Sequence, residues 1–261
     1  MEFKNILLNI ENRIATITVN RPNVMNALNP EVLADLMQGL TEVTRHRKEV
    51  GSVIITGAGE KAFVAGADIA AMLKINALEA EAFVRLGQRC MRLIENFEMP
   101  VVAAVNGFAL GGGMELALSC DFIYASKNAR MGLPEVNLGL FPGFGGTQRL
   151  ARLIGKAKAK ELIYTAAVMT ADQAYQIGVV NRVCEPEQLL AEVTKTLNTI
   201  MSKGPIAVKL AKRVINEGTD LPINSGLLLE ETQFPIIFAT EDRIEGVTAF
   251  LEKRPAQFKG K

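Results

Sequence analysis

The stretch from which the chain is best understood is residues 99–118, Met-Pro-Val-Val-Ala-Ala-Val-Asn-Gly-Phe-Ala-Leu-Gly-Gly-Gly-Met-Glu-Leu-Ala-Leu. Residues 101–105 form an uncharged apolar run, which predicts a strand covered on both faces. Three glycines at 111–113 then precede a helix predicted over 114–119, with Glu115 in its first turn. Because a helix N-terminus gathers unpaired N–H groups, the pattern predicts an amide cradle beside a carboxylate. Two plainer explanations stay open: tight packing of the glycines, and a Glu115 that only favours the helix N-terminus electrostatically.

Outward from this stretch, strands and helices alternate up to about residue 184, after which only helices are predicted. Strands are predicted over 6–10, 13–20, 52–56, 121–125 and 179–184, and residues 132–147 are predicted to be mostly irregular. Helices are predicted from Pro30 to about Arg45 and over 80–97, 148–154, 157–165, 171–177, 189–201, 206–215, 223–238 and 243–251. Pro235 is expected to break or kink its helix. The pattern predicts an α/β core over 1–190 and a helical region over 191–261.

Composition places the chain among ordinary globular proteins. Of its 261 residues 49% are hydrophobic and 22% charged, and the formal net charge is +1, which gives no support to a broad nucleic-acid or membrane-binding face. The three scattered cysteines are typical of reduced intracellular thiols. Residues 1–5 lack a signal-peptide pattern and no apolar run reaches membrane-spanning length, so a soluble cytoplasmic protein is expected.

Several familiar kinds of site are excluded by the residues themselves. The sequence contains no phosphate-binding Gly-x-x-x-x-Gly-Lys-Ser/Thr loop and no Gly-x-Gly-x-x-Gly at a strand–helix junction. His46 is the single histidine, between two arginines at a polar helix end, so a Ser–His–Asp triad or a histidine metal site is not expected. Chemistry at this protein is therefore expected to use carboxylates, backbone amides and water, without a bound metal.

Two carboxylates stand out as candidates for acid–base work. Glu115 follows the glycines, and Glu135 lies among apolar neighbours in Leu133-Pro134-Glu135-Val136. Their separation of 135 − 115 = 20 residues leaves room for a strand and a return, so they can converge. Paired carboxyls in unlike surroundings can hold one proton between them. The plainer interpretation of Glu135 alone is a solvated loop residue.

These motifs, in this order, resemble those of the crotonase (enoyl-CoA hydratase/isomerase) superfamily, and most closely its enoyl-CoA hydratases, or 3-hydroxyacyl-CoA dehydratases. The resemblance covers practically the whole chain. It is carried by Ala65-Gly66-Ala67-Asp68-Ile69, Asn106–Glu115, Pro134-Glu135, Pro142–Arg149 and, at the two ends, Asn20-Arg21-Pro22 and Glu252-Lys253-Arg254. It implies a spiral of ββα units with a helical C-terminal trimerisation region, assembled as a trimer or a dimer of trimers.

The resemblance also implies roles for individual residues. The N–H groups of Ala67 and Gly112 would form an oxyanion hole for an acyl-CoA thioester. Glu115 would activate a water molecule, Glu135 would deliver a proton to the α-carbon, and the N–H of Gly143 would help to hold the water. No cofactor is implied, since coenzyme A is part of the substrate.

Contacts to the CoA substrate are implied for a further set of residues: Ala65, Asp68, Ile69, Phe234 and Lys253. For Lys253 a plain surface charge is an equal alternative, and for Phe234 a core aromatic is the favoured one. Ala70 stands where many hydratases carry a lysine, which puts part of the phosphate-binding pattern in question. Four apolar residues fit either an acyl pocket or the core: Met72, Leu73, Leu140 and Phe141.

The expected activity is reversible hydration of a short-chain trans-2-enoyl-CoA. Three alternatives stay open: an enoyl-CoA isomerase, which usually manages with one carboxylate, a hydratase of branched or aromatic enoyl-CoA, and a non-catalytic acyl-CoA or RNA-binding protein. The retained pair of glutamates favours hydration, and the near-neutral net charge argues against RNA binding.

Overall fold

The computed structural model describes residues 3–68 and 73–261, which divide into two compact units. The first unit contains the chain up to Glu95 together with Val101–Val193, and the second contains Asn96–Pro100 and Thr194–Lys261. The structure thus groups the segment just before the central strand with the C-terminal helices.

The larger sheet of the described chain lies in the first unit and has the strand order β1-β2-β3-β5-β7-β10. Its first two strands form an antiparallel hairpin, and the later neighbours pair in parallel. Every residue of β3 and β5 is buried, and for β5 the continuous apolar run predicts this. The bounds are β1 Ile6–Glu11, β2 Ile14–Val19, β3 Ser52–Gly57, β5 Val101–Val105, β7 Phe122–Ser126 and β10 Arg182–Cys184.

A second, smaller sheet has the order β4-β6-β8-β9, built from β4 Ala62–Ala65, β6 Phe108–Leu110, β8 Arg130–Gly132 and β9 Val168–Thr170. The pairs β4–β6 and β6–β8 are parallel. Each successive turn of chain therefore adds one strand to each sheet, β3 then β4, β5 then β6, β7 then β8. This repetition is the predicted spiral of ββα units, and the predicted α/β fold is confirmed.

In the described part of the first unit, one α-helix follows each of the first four strand pairs, and two further α-helices come later in the chain. Asn29 caps α1 by accepting from the N–H of Val32, and Thr170 forms the predicted capping box with Gln173. The single histidine, His46, lies at the end of α1, within 3.4 Å of carboxylates of Glu42 and Glu49. The bounds are α1 Pro30–Arg45, α2 Ala77–Glu95, α3 Gly112–Leu118, α4 Gly146–Ile154, α5 Lys156–Tyr164 and α6 Ala171–Gln176.

The second unit is helical. It contains the C-terminal part of α7 Leu189–Met201, followed by α8 Pro205–Gly218, α9 Ile223–Phe238 and α10 Glu241–Leu251. Helix α9 continues through Pro235 to Phe238, so Pro235 does not break it. Phe234 is 55% exposed, so its favoured interpretation as a core aromatic is wrong for the single chain.

The sequence patterns missed every strand of the smaller sheet. β6, β8 and β9 have three residues each and β4 has four, which is too short to display a periodicity. Residues 132–147 are mostly irregular, as predicted, apart from the end of β8 at Gly132, a 3-10 turn at Glu135–Leu138 and the start of α4. Helix α3 begins at Gly112, two residues earlier than predicted.

Within residues 3–68 and 73–261, no helix is both long and apolar enough to cross a membrane. In the same ranges, no group of three or more His, Cys, Asp or Glu residues is arranged to hold a metal ion.

Candidate active site

The candidate residues lie at one edge of the smaller sheet because three parallel strands end there side by side. Ala65 pairs with Leu110, and Leu110 pairs with Gly132, each the last residue of its strand. The residues that follow are therefore neighbours in space, and the N–H of Gly111 donates to the carbonyl of Gly132 at 2.9 Å. The fold thus brings together segments that lie almost 70 residues apart along the chain (135 − 67 = 68).

The glycines at 111 and 113 are required for two different physical reasons. Gly111 has φ +52°, a conformation that residues with a side chain rarely adopt, and a Cβ there would lie 3.0 Å from Oε1 of Glu135. A Cβ at Gly113 would lie 1.8 Å from the carbonyl oxygen of Val64 in β4, which is impossible without moving the backbone. Tight packing, the plainer explanation, is thus correct for Gly113, whereas Gly111 makes a backbone turn beside a carboxylate.

The backbone amide of Ala67 is oriented by a parallel bridge to Leu28. The N–H of Leu28 donates to the carbonyl of Gly66 at 2.9 Å, and the N–H of Asp68 donates to the carbonyl of Leu28 at 2.9 Å. Since neighbouring peptides of an extended segment point to opposite sides, the N–H of Ala67 points away from Leu28. Gly112 is the first residue of α3, where the N–H groups have no partner inside the helix.

Glu115 is 2% exposed, and its carboxylate contacts a loop rather than the amides of its own helix. Oε1 accepts from the N–H of Phe144 at 2.7 Å and from that of Gly146 at 2.8 Å. Gly146 is the first residue of α4, so the positive end of that helix dipole also faces the carboxylate. Glu115 lies in the first turn of α3, but its hydrogen bonds to the loop show that it does more than favour that helix N-terminus electrostatically.

Burial raises the pKa of Glu115 from its ordinary value of 4.5 to about 7. The hydrogen bond from Gly146, then that from Phe144 and the charge of Arg149 oppose this rise, while the carboxyl of Glu135 adds to it. At neutral pH both protonation states of the Glu115 carboxyl are therefore populated.

Glu135 begins a 3-10 turn after β8 and is half-buried. Its Oε2 atom is buried and has no hydrogen-bond partner among the described residues. Burial raises the pKa of this carboxyl as well. Glu135 is thus no solvated loop residue. Burial disfavours its ionised form, while a hydrogen bond from the residue's own N–H favours that form.

Both glutamates line one cavity of about 680 Å³. Six other residues singled out from the sequence line it too: Ala65, Ala67, Gly112, Leu140, Phe141 and Gly143. Phe141 is 74% exposed, Leu140 43% and Leu73 86%, so none of the three belongs to the core of the single chain. Met72 lies outside the described residues. The cavity therefore combines apolar walls with two carboxyls and the backbone segments of 65–67 and 111–112.

The other residues predicted to contact the water or the CoA substrate do not all line this cavity. Gly143 lines the main cavity, whereas Asp68 lines a neighbouring cavity of about 380 Å³ that shares Phe83 with the first. Ile69 and Ala70 lie outside the described residues. The ring of Phe234 on α9 lies against that of Phe238, tilted by 49° with the ring centroids 5.3 Å apart. Lys253 follows α10 with φ +55°, and both residues belong to the second unit.

Sequence reasoning missed the residues that hold Glu115 from outside. The Phe144 ring, 4% exposed, packs edge-on against Phe83 at 5.1 Å and against Gly87, where a Cβ would lie 2.3 Å from the ring. Arg149 donates from Nη1 to the carbonyl of Phe144 at 3.0 Å and forms a two-point ion pair with Glu95. The one signal in the sequence for the close approach of the Phe144 ring to α2 was Gly87, a glycine inside the amphipathic pattern of that helix.

Comparison with known proteins bears directly on the resemblance. The model of the family described as Enoyl-CoA hydratase/isomerase matches residues 9–261. A crotonyl-CoA hydratase of Syntrophomonas wolfei is 53% identical over 258 residues, covering 99% of both chains. A short-chain-enoyl-CoA hydratase of Clostridium acetobutylicum is 50% identical over 254 residues, covering 97% of both chains.

The fold agrees with solved structures. An enoyl-CoA hydratase of Bacillus anthracis superimposes with a TM-score of 0.95 at 40% identity, covering 99% of this chain and all of the other. An enoyl-CoA hydratase subunit of Geobacillus kaustophilus gives a TM-score of 0.94 at 41% identity, covering both chains completely. The sequence motifs, the spiral of ββα units and these matches together establish that the chain belongs to the enoyl-CoA hydratase/isomerase family.

Proposed function

We propose that the protein is a hydro-lyase, a short-chain enoyl-CoA hydratase that adds water reversibly across the double bond of a trans-2-enoyl-CoA. The observation that carries this proposal is the convergence of Glu115 and Glu135 on one cavity with the backbone segments of Ala67 and Gly112. Hydration needs a group that takes a proton from water and a group that gives one to carbon, and two carboxyls fulfil both needs. The printed names of the relatives, crotonyl-CoA hydratase and short-chain-enoyl-CoA hydratase, support the short-chain substrate.

In the proposed mechanism the thioester oxygen accepts from the N–H groups of Ala67 and Gly112. Negative charge develops on this oxygen when water adds to C3, and preorganised donors stabilise that charge; one such donor typically accounts for about 10²–10³ in rate. The dipole of α3 also stabilises this negative charge, because Gly112 is the first residue of the helix and lies at the positive end of the dipole.

Glu115 takes a proton from the water molecule, whose oxygen forms the new bond to C3, and the N–H of Gly143 helps to hold that water. The electron pair of the double bond moves into the thioester enolate. Glu135 then gives its proton to C2, which returns the electron pair to carbon and leaves the 3-hydroxyacyl-CoA. Glu115 loses the proton that it took and Glu135 regains one by exchange with solvent water, which restores both groups for the next turnover. The hydrogen bonds support this division, since Glu115 accepts two N–H groups that favour its ionised form, whereas Oε2 of Glu135 has no donor among the described residues.

The proposal is tested by the loss of absorbance of the conjugated thioester when crotonyl-CoA is mixed with the protein. We expect rapid hydration, and a lower kcat/KM for trans-2-decenoyl-CoA than for crotonyl-CoA. Absence of hydration for both substrates would overturn the proposal, and a preference for the longer chain would overturn its short-chain part.

The pH dependence of the reaction follows from the burial of Glu115. Its pKa of about 7 means that the ionised form, which removes the proton from water, is lost as the pH falls. We therefore expect kcat/KM for hydration to decrease below about pH 7. At high pH it should decrease again as Glu135 loses the proton that it delivers. Stopped-flow hydration of crotonyl-CoA between pH 5 and 10 would measure this, and a rate that stays constant down to pH 5 would contradict the role of Glu115.

We further propose that the second unit assembles the protein into a homotrimer or a hexamer built from two trimers. Support comes from the apolar side chains that α9 and α10 expose in the single chain, among them Phe234, Phe250 at 82% and Leu251 at 74%. Light scattering coupled to gel filtration should give a mass three or six times the chain's 28.3 kDa, and a monomeric mass would contradict the proposal. A reaction without a cofactor beyond the coenzyme A of the substrate, and a cytoplasmic location, stay predictions from the sequence.

A further inference from the structure

Residues Gly143–Gly146, here called the donor loop, supply both N–H groups that Glu115 accepts. Three of these four residues are glycines, and Gly145 has φ +108°. A glycine-rich segment has many accessible backbone conformations, so the direction of its N–H groups has to be set by contacts from outside the loop. The orientation of the Glu115 carboxylate therefore depends on whatever holds the donor loop.

Gln88 holds one peptide of this loop. It lies on α2 and lines the active-site cavity, and its Nε2 donates to the carbonyl oxygen of Gly143 at 3.0 Å. The carbonyl of Gly143 and the N–H of Phe144 belong to the same peptide plane. That single peptide thus accepts from Gln88 on one side and donates to Oε1 of Glu115, at 2.7 Å, on the other.

The next peptide of the loop is held separately. Its carbonyl, that of Phe144, accepts from Nη1 of Arg149, whose other nitrogens pair with Glu95 at 2.8 and 3.1 Å. The Phe144 ring is packed on Gly87. Because these contacts fix the place of the loop, removing the Gln88 amide should alter the direction and polarisation of one peptide without unfolding the loop.

We propose that Gln88 is a positioning residue of the hydration reaction, acting through the Gly143–Phe144 peptide to hold Glu115 in the orientation that takes a proton from water. This inference rests on the proposed function. Gln88 needs no contact with the substrate for this role: it orients the N–H that orients the base. Hydrogen-bonded chains of this kind strengthen one another, so the donor at Phe144 is better aimed and more polar while Gln88 is bound to the carbonyl.

The variant that isolates this contact is Gln88→Met, which keeps the length of the side chain and removes the donor. We expect kcat for crotonyl-CoA to fall about tenfold, equivalent to about 1.4 kcal/mol, with KM changed by less than about twofold. Arg89→Met, an exposed position one residue further along α2, is the matched control and should leave both constants unchanged. A rise in KM at constant kcat would overturn the proposal, because it would make Gln88 a substrate contact.

The pH profile separates positioning from a general structural effect. Charged and titratable groups facing Glu115 are Glu135 on the 3-10 turn and Arg149 on α4, and Gln88→Met leaves both in place. The N–H of Phe144 lowers the pKa of Glu115, so a weaker bond from it should move the acidic limb of kcat/KM to higher pH. An acidic limb that does not move would overturn the proposal.

A double variant tests whether Gln88 acts through Glu115. In a Glu115→Gln background, Gln88→Met should cause no further loss of the residual kcat, because the base that it orients is absent. Losses that multiply would overturn the proposal.

One measurement is independent of turnover. In the free protein labelled with ¹³C at glutamate carboxyls, the resonance absent from Glu115→Gln identifies Glu115, and its titration should move to higher pH in Gln88→Met. If the wild type fails to hydrate enoyl-CoA, the proposed function is wrong, but the titration still tests whether Gln88 acts on Glu115. An unchanged titration in Gln88→Met would overturn the proposed role of Gln88. Should Gln88→Met fail to fold, Gln88→Glu is the second variant. It has the same shape but places an acceptor against the Gly143 carbonyl, so kcat should fall by more than tenfold. An unchanged kcat would overturn the proposal.

Discussion

Replacement of Glu115 by glutamine should lower kcat for crotonyl-CoA hydration by about 10²–10⁴, the usual contribution of a positioned acid or base. The shape of the site should be preserved, because the amide oxygen of glutamine can accept the same two N–H groups of Phe144 and Gly146. What the variant lacks is the ability to take a proton from water. KM should change little, since the carboxylate is not expected to bind the thioester.

The same variant, although less active, should be more stable than the wild type at neutral and higher pH. The pKa of Glu115 is about 7 in the folded protein and 4.5 ordinarily, so the unfolded chain loses the proton first as the pH rises. Stability is therefore lost between about pH 4.5 and 7, by up to about 3 kcal/mol from this group. Glu115→Gln removes this loss, and urea unfolding at pH 5 and pH 8 should find the variant more stable than the wild type only at the higher pH.

A suitable control is Glu161→Gln, which removes an exposed carboxylate paired with Lys158 and should leave activity unchanged and stability nearly so. Hydration at near the wild-type rate by Glu115→Gln would remove Glu115 from the mechanism. Unfolding of the variant under all conditions would contradict the view that the carboxylate is a cost to stability.

Replacement of Glu135 by glutamine should also lower kcat by about 10²–10⁴, because the proton for C2 is no longer available. Its second effect differs from that of Glu115→Gln. The decrease at high pH should disappear from the residual activity, because the glutamine at position 135 has no proton to lose. Stopped-flow hydration across the pH range would detect both changes.

The two glutamates can be assigned separately with a saturated substrate. Butyryl-CoA has no group to eliminate, so exchange of its C2 proton for deuterium in D₂O needs the residue that serves C2 and the oxyanion hole, but no water activation. Proton NMR should find the exchange retained in Glu115→Gln and lost in Glu135→Gln. The reverse result would exchange the two roles, and equal loss in both would contradict a division of labour.

The strands of the larger sheet were predictable where their own residues carry the pattern. Val101–Val105 is apolar throughout because both its faces are buried, and β2 alternates because it is buried more on one side. Strands β6 and β8 gave no such signal, since three residues such as Arg130–Gly132 form a strand only by pairing with neighbours that are distant in sequence. These unpredicted strands are the ones that carry the candidate site.

Glu115 and Glu135 could be chosen from residue types and sequence neighbours. Their surroundings in the folded protein could not be predicted in this way. Glu115 was expected beside the amides of its own helix, and it binds those of residues 29 and 31 positions further along. Gln88 and the Glu95–Arg149 pair attracted no functional interpretation, because a polar residue on an amphipathic helix gives no indication of which carbonyl it will meet.

By itself, the sequence determined the family, the central strand, the glycines and the two acids, since these depend on residue types and short spacings. Tertiary structure alone decided that Glu115 is buried, that its pKa rises to about 7, and that the ends of β4, β6 and β8 share one edge. The physical reason is that burial and hydrogen-bond partners are set by segments remote along the chain, which no local pattern of residues records.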